Sequence, residues 1–313
     1  MLGRVADQLY WMARYSERAE NMARILDVAD RMSLTPQDDN TRITAWYSAL
    51  EVAGAQEGYA ESHGEVSGSN VLHYMALDQD NPSSIFSSIR AARENARALR
   101  GTITTEMFEA INATWLELRA MDEMVLSAAG RRVFFDWVKE RAHLFRGVAE
   151  GTMLRDEAMM FMDIGLDIER ADSTARLLDS KYHILLPSAE DVGGALDYYQ
   201  WGALLRSLSA FRAYHKIYRD RVSAIRVAEL IILNAEMPRS LRCCYDRLVD
   251  TLEILCGDDA PECQRLTGRL HAWLRFRRID EIFEQGLHEF LTDFIEGNAD
   301  VGQQIARDFM MVR

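Results

Sequence analysis

The string ERAENMARILD occupies residues 17–27, and it returns as ERADSTARLLD at residues 169–179, 152 positions later and without a gap. A second match follows in the next segment, where Trp46, Leu50, Ala55 and Tyr59 correspond to Trp201, Leu205, Ala210 and Tyr214. A third match pairs residues 81–85 (NPSSI) with residues 237–241 (MPRSL). Colinear matches whose offset drifts slowly are typical of a duplication followed by loop insertions. We therefore predict two halves of common origin, residues 1–152 and 153–313.

Composition and periodicity predict an all-α fold. Hydrophobic residues make up 48% of the 313 residues, and the chain contains only 5 prolines and 18 glycines. Apolar residues repeat with a helical period in about eleven segments, roughly 2–34, 41–61, 82–101, 104–128, 131–150, 155–183, 192–220, 222–236, 238–256, 261–276 and 279–297. Pro36 and Pro187 are predicted to close the first helix of each half, and Pro82 and Pro238 to open a later one. The Gly/Ser-rich residues 62–70 are predicted to form an exposed loop.

The two halves are expected to form one domain. No linker-like composition occurs near residue 150, so they should pack as a single pseudo-symmetric helical bundle. Each half would contribute an ER-bearing helix, a Trp/Tyr helix and a helix that follows a proline. The ER-bearing helices should lie near the centre.

Charge and cysteine content limit the classes of function. The net charge of −13 disfavours binding to nucleic acid or to an anionic membrane surface. Charged residues interrupt the N-terminal segment and no later segment is long and apolar enough to span a membrane, so a cytoplasmic protein is expected. The four cysteines, at 243, 244, 256 and 263, lack Cys-x-x-Cys spacing, which predicts buried thiols rather than disulfides or a zinc site.

The repeated strings, here called the ER strings, place charged residues on one helix face. At 100° per residue, Glu17, Glu20, Asn21 and Arg24 share a 100° arc. The second string repeats the arrangement with Glu169, Asp172 and Arg176. Arg18 lies off this arc among apolar residues, and Arg170 lies beside Leu177, which indicates guanidinium groups that are stacked or inserted rather than freely solvated.

Three interpretations of these charges are open. A buried salt-bridge network that fixes how the halves dock is ranked first, because paired buried charges often serve as specificity devices. A ligand pocket or active site is ranked second. A solvated helix face is the third.

A second charged pattern follows Pro82. Arg90, Arg93, Arg97 and Arg100 form a basic stripe opposite Ile89, Ala92, Ala96 and Leu99. The stripe could pair with the acidic residues of the ER strings, which we favour, or contact a phosphate or an acidic partner. The matching helix of the second half begins with Pro238, Arg239 and Ser240 and does not repeat the stripe. The candidate contacts for an anion or a partner are therefore Arg90, Arg93, Arg97, Arg239 and Ser240.

Other catalytic patterns are weak. Glu140-x-x-His143 is the only Glu-x-x-His sequence, whereas a di-metal helical bundle needs two such sequences and further carboxylates. The chain contains neither a phosphate-binding glycine-rich loop nor a Gly-x-Ser-x-Gly motif. The sequence therefore predicts no metal, no cofactor and no identifiable catalytic residue.

The segment at residues 2–21 (LGRVADQLYWMARYSERAEN), with ERAD at 169–172 and MPRS at 237–240, resembles the bacterial alpha-E family, an alpha-helical domain with an ER motif. The resemblance covers essentially the whole chain. Members of this family accompany, or are fused to, a circularly permuted ATP-grasp ligase, often with a transglutaminase-like protein encoded nearby. The resemblance thus implies a role in ATP-dependent amide-bond formation on a peptide or small amino compound, and it assigns no catalytic residue.

Three functional hypotheses follow. In the first, the chain is a helical partner of an ATP-grasp ligase, which itself holds the nucleotide and metal. In the second, the ER helices form a pocket of their own, in which Glu17, Arg18, Glu169 and Arg170 hold a carboxylate or an amine. The third is a purely structural bundle.

Overall fold

The computed structural model describes residues 1–33, 39–184 and 194–310. This described part consists of fifteen α-helices and two irregular helical turns, and it contains no strand. The helices are α1 (Gly3–Ser33), α2 (Asp39–Val52), α3 (Gln56–Ser62), α4 (Gly68–Ala76), α5 (Ile85–Ala98), α6 (Thr105–Ala120), α7 (Arg131–Thr152), α8 (Glu157–Ile184), α9 (Ala195–Ser207), α10 (Phe211–Tyr218), α11 (Ala224–Leu233), α12 (Leu241–Cys256), α13 (Glu262–Phe276), α14 (Ile279–Gln285) and α15 (Leu287–Ile305). The all-α prediction is confirmed for these residues. None of the helices in these ranges is long and apolar enough to cross a membrane.

Helices α1 and α8, which carry the ER strings, pack against each other and form the centre of the fold. Helix α1 is covered by α2, α5 and α7, while α8 is covered by α12 and α15. The alanines of both strings are buried, which allows the two backbones to approach closely. At Gly165 on α8, a Cβ atom would overlap the carbonyl oxygen of Tyr10 on α1. Glycine at this position therefore sets the distance between the two central helices.

The described part contains four more helices than the predicted eleven, because three predicted helices are interrupted and α4 was not predicted. Segment 41–61 is α2 followed by α3, with Gly54 at φ +60° between them, and segment 192–220 contains α9 and α10, with Ser209 at φ 56° between them. Segment 279–297 is α14 followed by α15, with Gly286 at φ +106° between them, and α15 continues to Ile305. A residue with positive φ cannot continue a right-handed helix, so each of these positions ends one helix.

The predicted loop at residues 62–70 was partly wrong, because α4 begins at Gly68. The Ser67 hydroxyl caps this helix by accepting a hydrogen bond from the Asn70 backbone N–H at 3.3 Å. A Cβ atom on Gly68 would lie only 2.7 Å from Nε1 of Trp46. Glycine is therefore required there for close packing and not for a turn, a distinction that turn propensity cannot make.

The two prolines that were predicted to open a later helix in each half have similar surroundings in the structure. Pro82 and Pro238 lie in the turns before α5 and α12, whose N-caps are Ser84 and Ser240. Each cap hydroxyl accepts a backbone hydrogen bond from the residue three positions later and donates one to the carbonyl six positions earlier. Matching caps are expected of duplicated halves, although the duplication and its boundary at residues 152 and 153 stay predictions. Pro36 and Pro187 lie outside the described residues.

Candidate functional site

The two ER strings are joined by reciprocal salt bridges. Arg18 on α1 donates from Nε to Glu169 Oε1 at 2.6 Å and from Nη2 to Oε2 at 3.1 Å. Arg170 on α8 donates from Nε to Glu17 Oε1 at 3.1 Å and from Nη2 to Oε2 at 2.9 Å. Each arginine thus binds the glutamate of the other string through a two-bond fork, which is the strongest arrangement for this pair of groups. The crossed pairs hold α1 against α8.

Glu17 and Glu20 lie inside a larger buried network. Besides Arg170, Glu17 accepts hydrogen bonds at 2.9 Å from Arg146 on α7 and from Arg239 in the turn before α12. Both of these arginines also bind Glu20, which accepts a further bond of 2.6 Å from Nη2 of Arg24. Two carboxylates are therefore surrounded by four guanidinium groups, and the side chains of both glutamates are fully buried. The excess of cations keeps both carboxylates ionised.

The pKa values of these groups reflect the opposing effects of burial and of the neighbouring charges. Burial by itself raises the pKa of Glu17, but the charges of Arg170 and Arg239 outweigh it and lower the value to about 2. Burial likewise opposes ionisation of Glu20, whose pKa the charge of Arg239 nevertheless holds well below its usual range. For Arg24, burial and the neighbouring Arg239 charge together lower the guanidinium pKa. The network is thus fully charged at neutral pH.

A cavity of about 500 Å³ opens beside the Arg18–Glu169 pair. We call it the ER cavity. Its wall combines residues of α1, α8 and α15, namely Tyr10, Trp11, Arg14, Arg18, Asn21, Glu169, Asp172, Ser173, Arg176, Asn298, Gly302 and Gln303 among others. The Arg18 side chain is 25% exposed there, whereas that of Arg170 is 8% exposed. One arginine of the reciprocal pairs therefore faces an open cavity and the other is nearly sealed.

Residues 1–310 match the family model of Alpha-E, which is described as a predicted alpha-helical domain with a conserved ER motif. This chain belongs to the Alpha-E family. Uncharacterized proteins of Mycobacterium bovis and Mycobacterium tuberculosis are similar to it, each with 27% identity over 326 residues. The match covers 94% of this chain and 35% of each relative, so the chain spans about a third of the length of these curated relatives. No solved structure matches the Alpha-E chain.

In the structure, the predicted site residues of the Alpha-E chain fall into a buried group and a partly exposed group. Glu17, Glu20, Arg24, Glu169 and Arg170 are buried, which excludes a solvated face for them. Asp172 and Arg176 form a partly exposed pair at the edge of the ER cavity, with 2.7 Å between Oδ2 and Nε.

Two residues predicted to contact an anion or a partner have internal roles instead. Arg239 is buried in the network around Glu17 and Glu20, and Ser240 is the buried N-cap of α12. Both therefore stabilise the fold at the point where the chain enters α12.

The expected pairing of the basic stripe with the ER strings was wrong. Arg90 donates to the carbonyl of Gln79, Arg93 donates to Asn112 and Glu94, and Arg97 lies 3.5 Å from Glu94. Helix α5 buries its apolar face, which includes Ile89, Ala92 and Ala96, and it packs against α1. The arginines lie on the opposite face, so they point away from the ER strings.

Several residues of the network were not assigned to it from the sequence. Arg14 donates from Nε to Glu169 at 2.8 Å, and it lies one helical turn before Arg18, a spacing that could have identified it. Arg146 and His143 reach the network from α7, with 3.5 Å between His143 Nε2 and Glu20 Oε1. Nothing in the ER strings indicates that α7 packs beside them.

A second cavity, of about 540 Å³, lies on another side of the central helices and is more acidic. Its wall includes Asp163, Asp167 and Arg247, and Arg247 Nε donates to both carboxylate oxygens of Asp167 at 3.1 Å. Burial and the nearby Asp167 charge raise the pKa of Asp163 to about 6. In the described residues, no group of three or more His, Cys, Asp or Glu side chains is arranged to hold a metal ion.

Proposed function

We propose that this Alpha-E domain is a helical accessory domain that works with an ATP-grasp-type ligase in ATP-dependent amide-bond formation on a peptide or small amino compound. The observation that carries the proposal is the 35% share of the mycobacterial relatives that the chain matches. In those proteins an Alpha-E-like region is joined to a much longer chain. The family resemblance supplies the identity of the partner, and it implies a transglutaminase-like protein as a second one.

The geometry of the ER strings supports an accessory role. Glu17 and Glu20 are occupied by four guanidinium groups, and Glu169 is occupied by Arg14 and Arg18. Charges that are paired in this way stabilise one packing arrangement of α1 against α8. In this proposal the buried network keeps the bundle rigid, the outer helices contact the ligase, and the ligase binds ATP and metal in the cytoplasm. No nucleic acid or membrane takes part.

Co-purification tests the accessory role. The Alpha-E chain is co-expressed with its cognate ATP-grasp ligase and analysed by size-exclusion chromatography, with each protein alone and an unrelated ATP-grasp ligase as controls. We expect co-elution with the cognate ligase only. Separate elution at micromolar concentrations would contradict the proposal.

A second candidate function is a ligand pocket, and the ER cavity is the observation that favours it. Cavities of 300–1,000 Å³ are typical of sites for small molecules, and the 500 Å³ of the ER cavity falls in this range. Arg18→Met tests this candidate, since the variant keeps Arg14, whose Nε lies 2.8 Å from Glu169 Oε2. We expect product formation with the ligase to stop while the complex still forms. Full activity of the variant would contradict a ligand role for Arg18.

A further inference from the structure

Asn21 in the first ER string has a buried donor group without a partner. Its side-chain oxygen Oδ1 accepts a hydrogen bond from Arg239 Nη1 at 3.0 Å. Because a guanidinium only donates, this bond determines the orientation of the amide, and the NH₂ group must point the other way. Among the residues that the structure describes, none is a hydrogen-bond partner of Nδ2, which is shielded from solvent in a residue that is 6% exposed. A buried donor without an acceptor is costly, so the presence of one calls for an explanation, such as a bound water, ion or ligand.

The unpartnered amide belongs to a residue that lines the ER cavity, beside guanidinium groups with spare donors. Arg18 uses Nε and Nη2 on Glu169, and among the described residues its Nη1 makes no hydrogen bond. Within the described part of the chain, Arg176 donates only from Nε, to Asp172. Two guanidiniums of the cavity wall therefore keep N–H groups that the described residues do not use, and the buried Asn21 amide belongs to a residue of the same wall. The Asn21 amide lacks an acceptor, whereas the partly exposed guanidiniums can donate to water.

The charge of the wall indicates the kind of acceptor. Three guanidiniums line the cavity, those of Arg14, Arg18 and Arg176, and they face two carboxylates, those of Glu169 and Asp172. One positive charge is therefore in excess, which matches a singly charged anion. A carboxylate fits this charge and the forked geometry of arginine, whereas a phosphate dianion would reverse the sign of the site.

We propose that the ER cavity binds the carboxylate group of a small molecule or of a peptide C-terminus, with Asn21 Nδ2 and Arg18 Nη1 as donors. This inference rests on the second candidate function, that the cavity receives a ligand, and it does not depend on a ligase. The tyrosine and tryptophan at positions 10 and 11 supply an apolar wall for the rest of the ligand.

Two matched compounds test the proposal on the free Alpha-E chain. N-acetylglycine carries a carboxylate, and N-acetylglycinamide has the same shape without the charge. Binding is followed by NMR through the side-chain NH₂ signals of Asn21 and by the dissociation constant. We expect N-acetylglycine to bind at millimolar concentration and to shift the Asn21 NH₂ signals, and the amide to bind at least tenfold more weakly. Parallel titrations with a short peptide, free or amidated at its C-terminus, separate the two sources of carboxylate.

The Asn21→Asp variant replaces the NH₂ donor with a carboxylate oxygen and keeps the size and shape of the side chain. Its carboxylate still accepts the bond from Arg239, so the fold is expected to persist, but it repels a bound carboxylate. We expect the dissociation constant for N-acetylglycine to rise at least tenfold. Arg176→Met removes a cavity cation from a partly exposed pair and should also weaken binding. Its matched control is Arg31→Met, which removes the arginine of another partly exposed i,i+4 pair with Asp27 outside the cavity and should bind normally.

The possible results distinguish the carboxylate proposal from the second candidate function, a ligand pocket, on which it rests. Equal binding of the amide and the acid would overturn the carboxylate assignment while leaving a ligand pocket. Tighter binding of inorganic phosphate than of N-acetylglycine would overturn it in favour of a phosphate. If none of the compounds binds, or if Asn21→Asp and Arg176→Met both bind N-acetylglycine like the wild type, the cavity is not this site. Co-elution with the ligase is measured separately and is unaffected by these results.

Discussion

Glu17→Gln is expected to destabilise the Alpha-E chain strongly at neutral pH. The substitution keeps the shape of the side chain but removes the charge that faces Arg146, Arg170 and Arg239. The pKa of Glu17 lies at about 2 in the folded protein, against an ordinary value of 4.5. A difference of about 2.5 units corresponds to about 3 kcal/mol at 1.36 kcal/mol per unit. Loss of one partner from a buried ion pair typically costs about 3–5 kcal/mol, which agrees with this value.

The pH dependence gives the same prediction a second, independent signature. Because the folded-state pKa of Glu17 is lowered, its stabilising contribution is complete above about pH 4.5 and disappears as the pH falls through about 2. A protonated Glu17 is neutral, as glutamine is at every pH. The difference in unfolding free energy between wild type and Glu17→Gln should therefore be about 3 kcal/mol at pH 7 and shrink across this interval.

Urea unfolding followed by circular dichroism, repeated from pH 7 to pH 2.5, measures this difference. The control is Glu262→Gln, which removes a carboxylate from an exposed salt bridge with Arg265 and should leave the free energy of unfolding nearly unchanged. A loss below about 1 kcal/mol for Glu17→Gln at pH 7, or a loss that stays constant with pH, would refute the reasoning.

Three further predictions follow from the central helices and the second cavity. Arg170→Met should lower the free energy of unfolding by about 3 kcal/mol and Arg18→Met by about 1 kcal/mol, since the Arg18 side chain is more exposed. The melting temperature of Arg170→Met should therefore be the lower of the two, and the reverse order would contradict this explanation. Gly165→Ala should cost about 1–3 kcal/mol in urea unfolding, because the methyl group overlaps the α1 backbone, and an unchanged midpoint would show that the helices can separate freely. Asp163 has a folded-state pKa raised from 3.8 to about 6, so its ionisation opposes folding as the pH rises through that interval. By the same conversion, Asp163→Asn should raise the free energy of unfolding by about 3 kcal/mol at pH 7 and by almost nothing at pH 3. Equal effects at both pH values would argue against a titrating Asp163.

Helical periodicity identified most of the long helices but not where they are interrupted. The segment at residues 2–34 became α1, and the segment at 155–183 corresponds to α8. The interruption at Ser209 depends on a positive φ in a residue type that is common inside and outside helices. Gly68 shows the opposite case, since the sequence marks a turn and the structure uses the small residue to pack a helix against Trp46.

From the residue pattern alone, the ER strings could be predicted to be helical, with charges that are unusual for a helix interior and with Arg18 and Arg170 beside apolar residues. The period of a helix is local, and so it can be read from neighbouring residues. The packing of the helices was needed to show that each arginine binds the glutamate of the other string, that Arg146 and Arg239 join them, and that the described residues offer no acceptor to the Asn21 amide near the ER cavity. Ion pairs and cavities form between residues that are far apart in the chain, so their partners depend on how the helices pack.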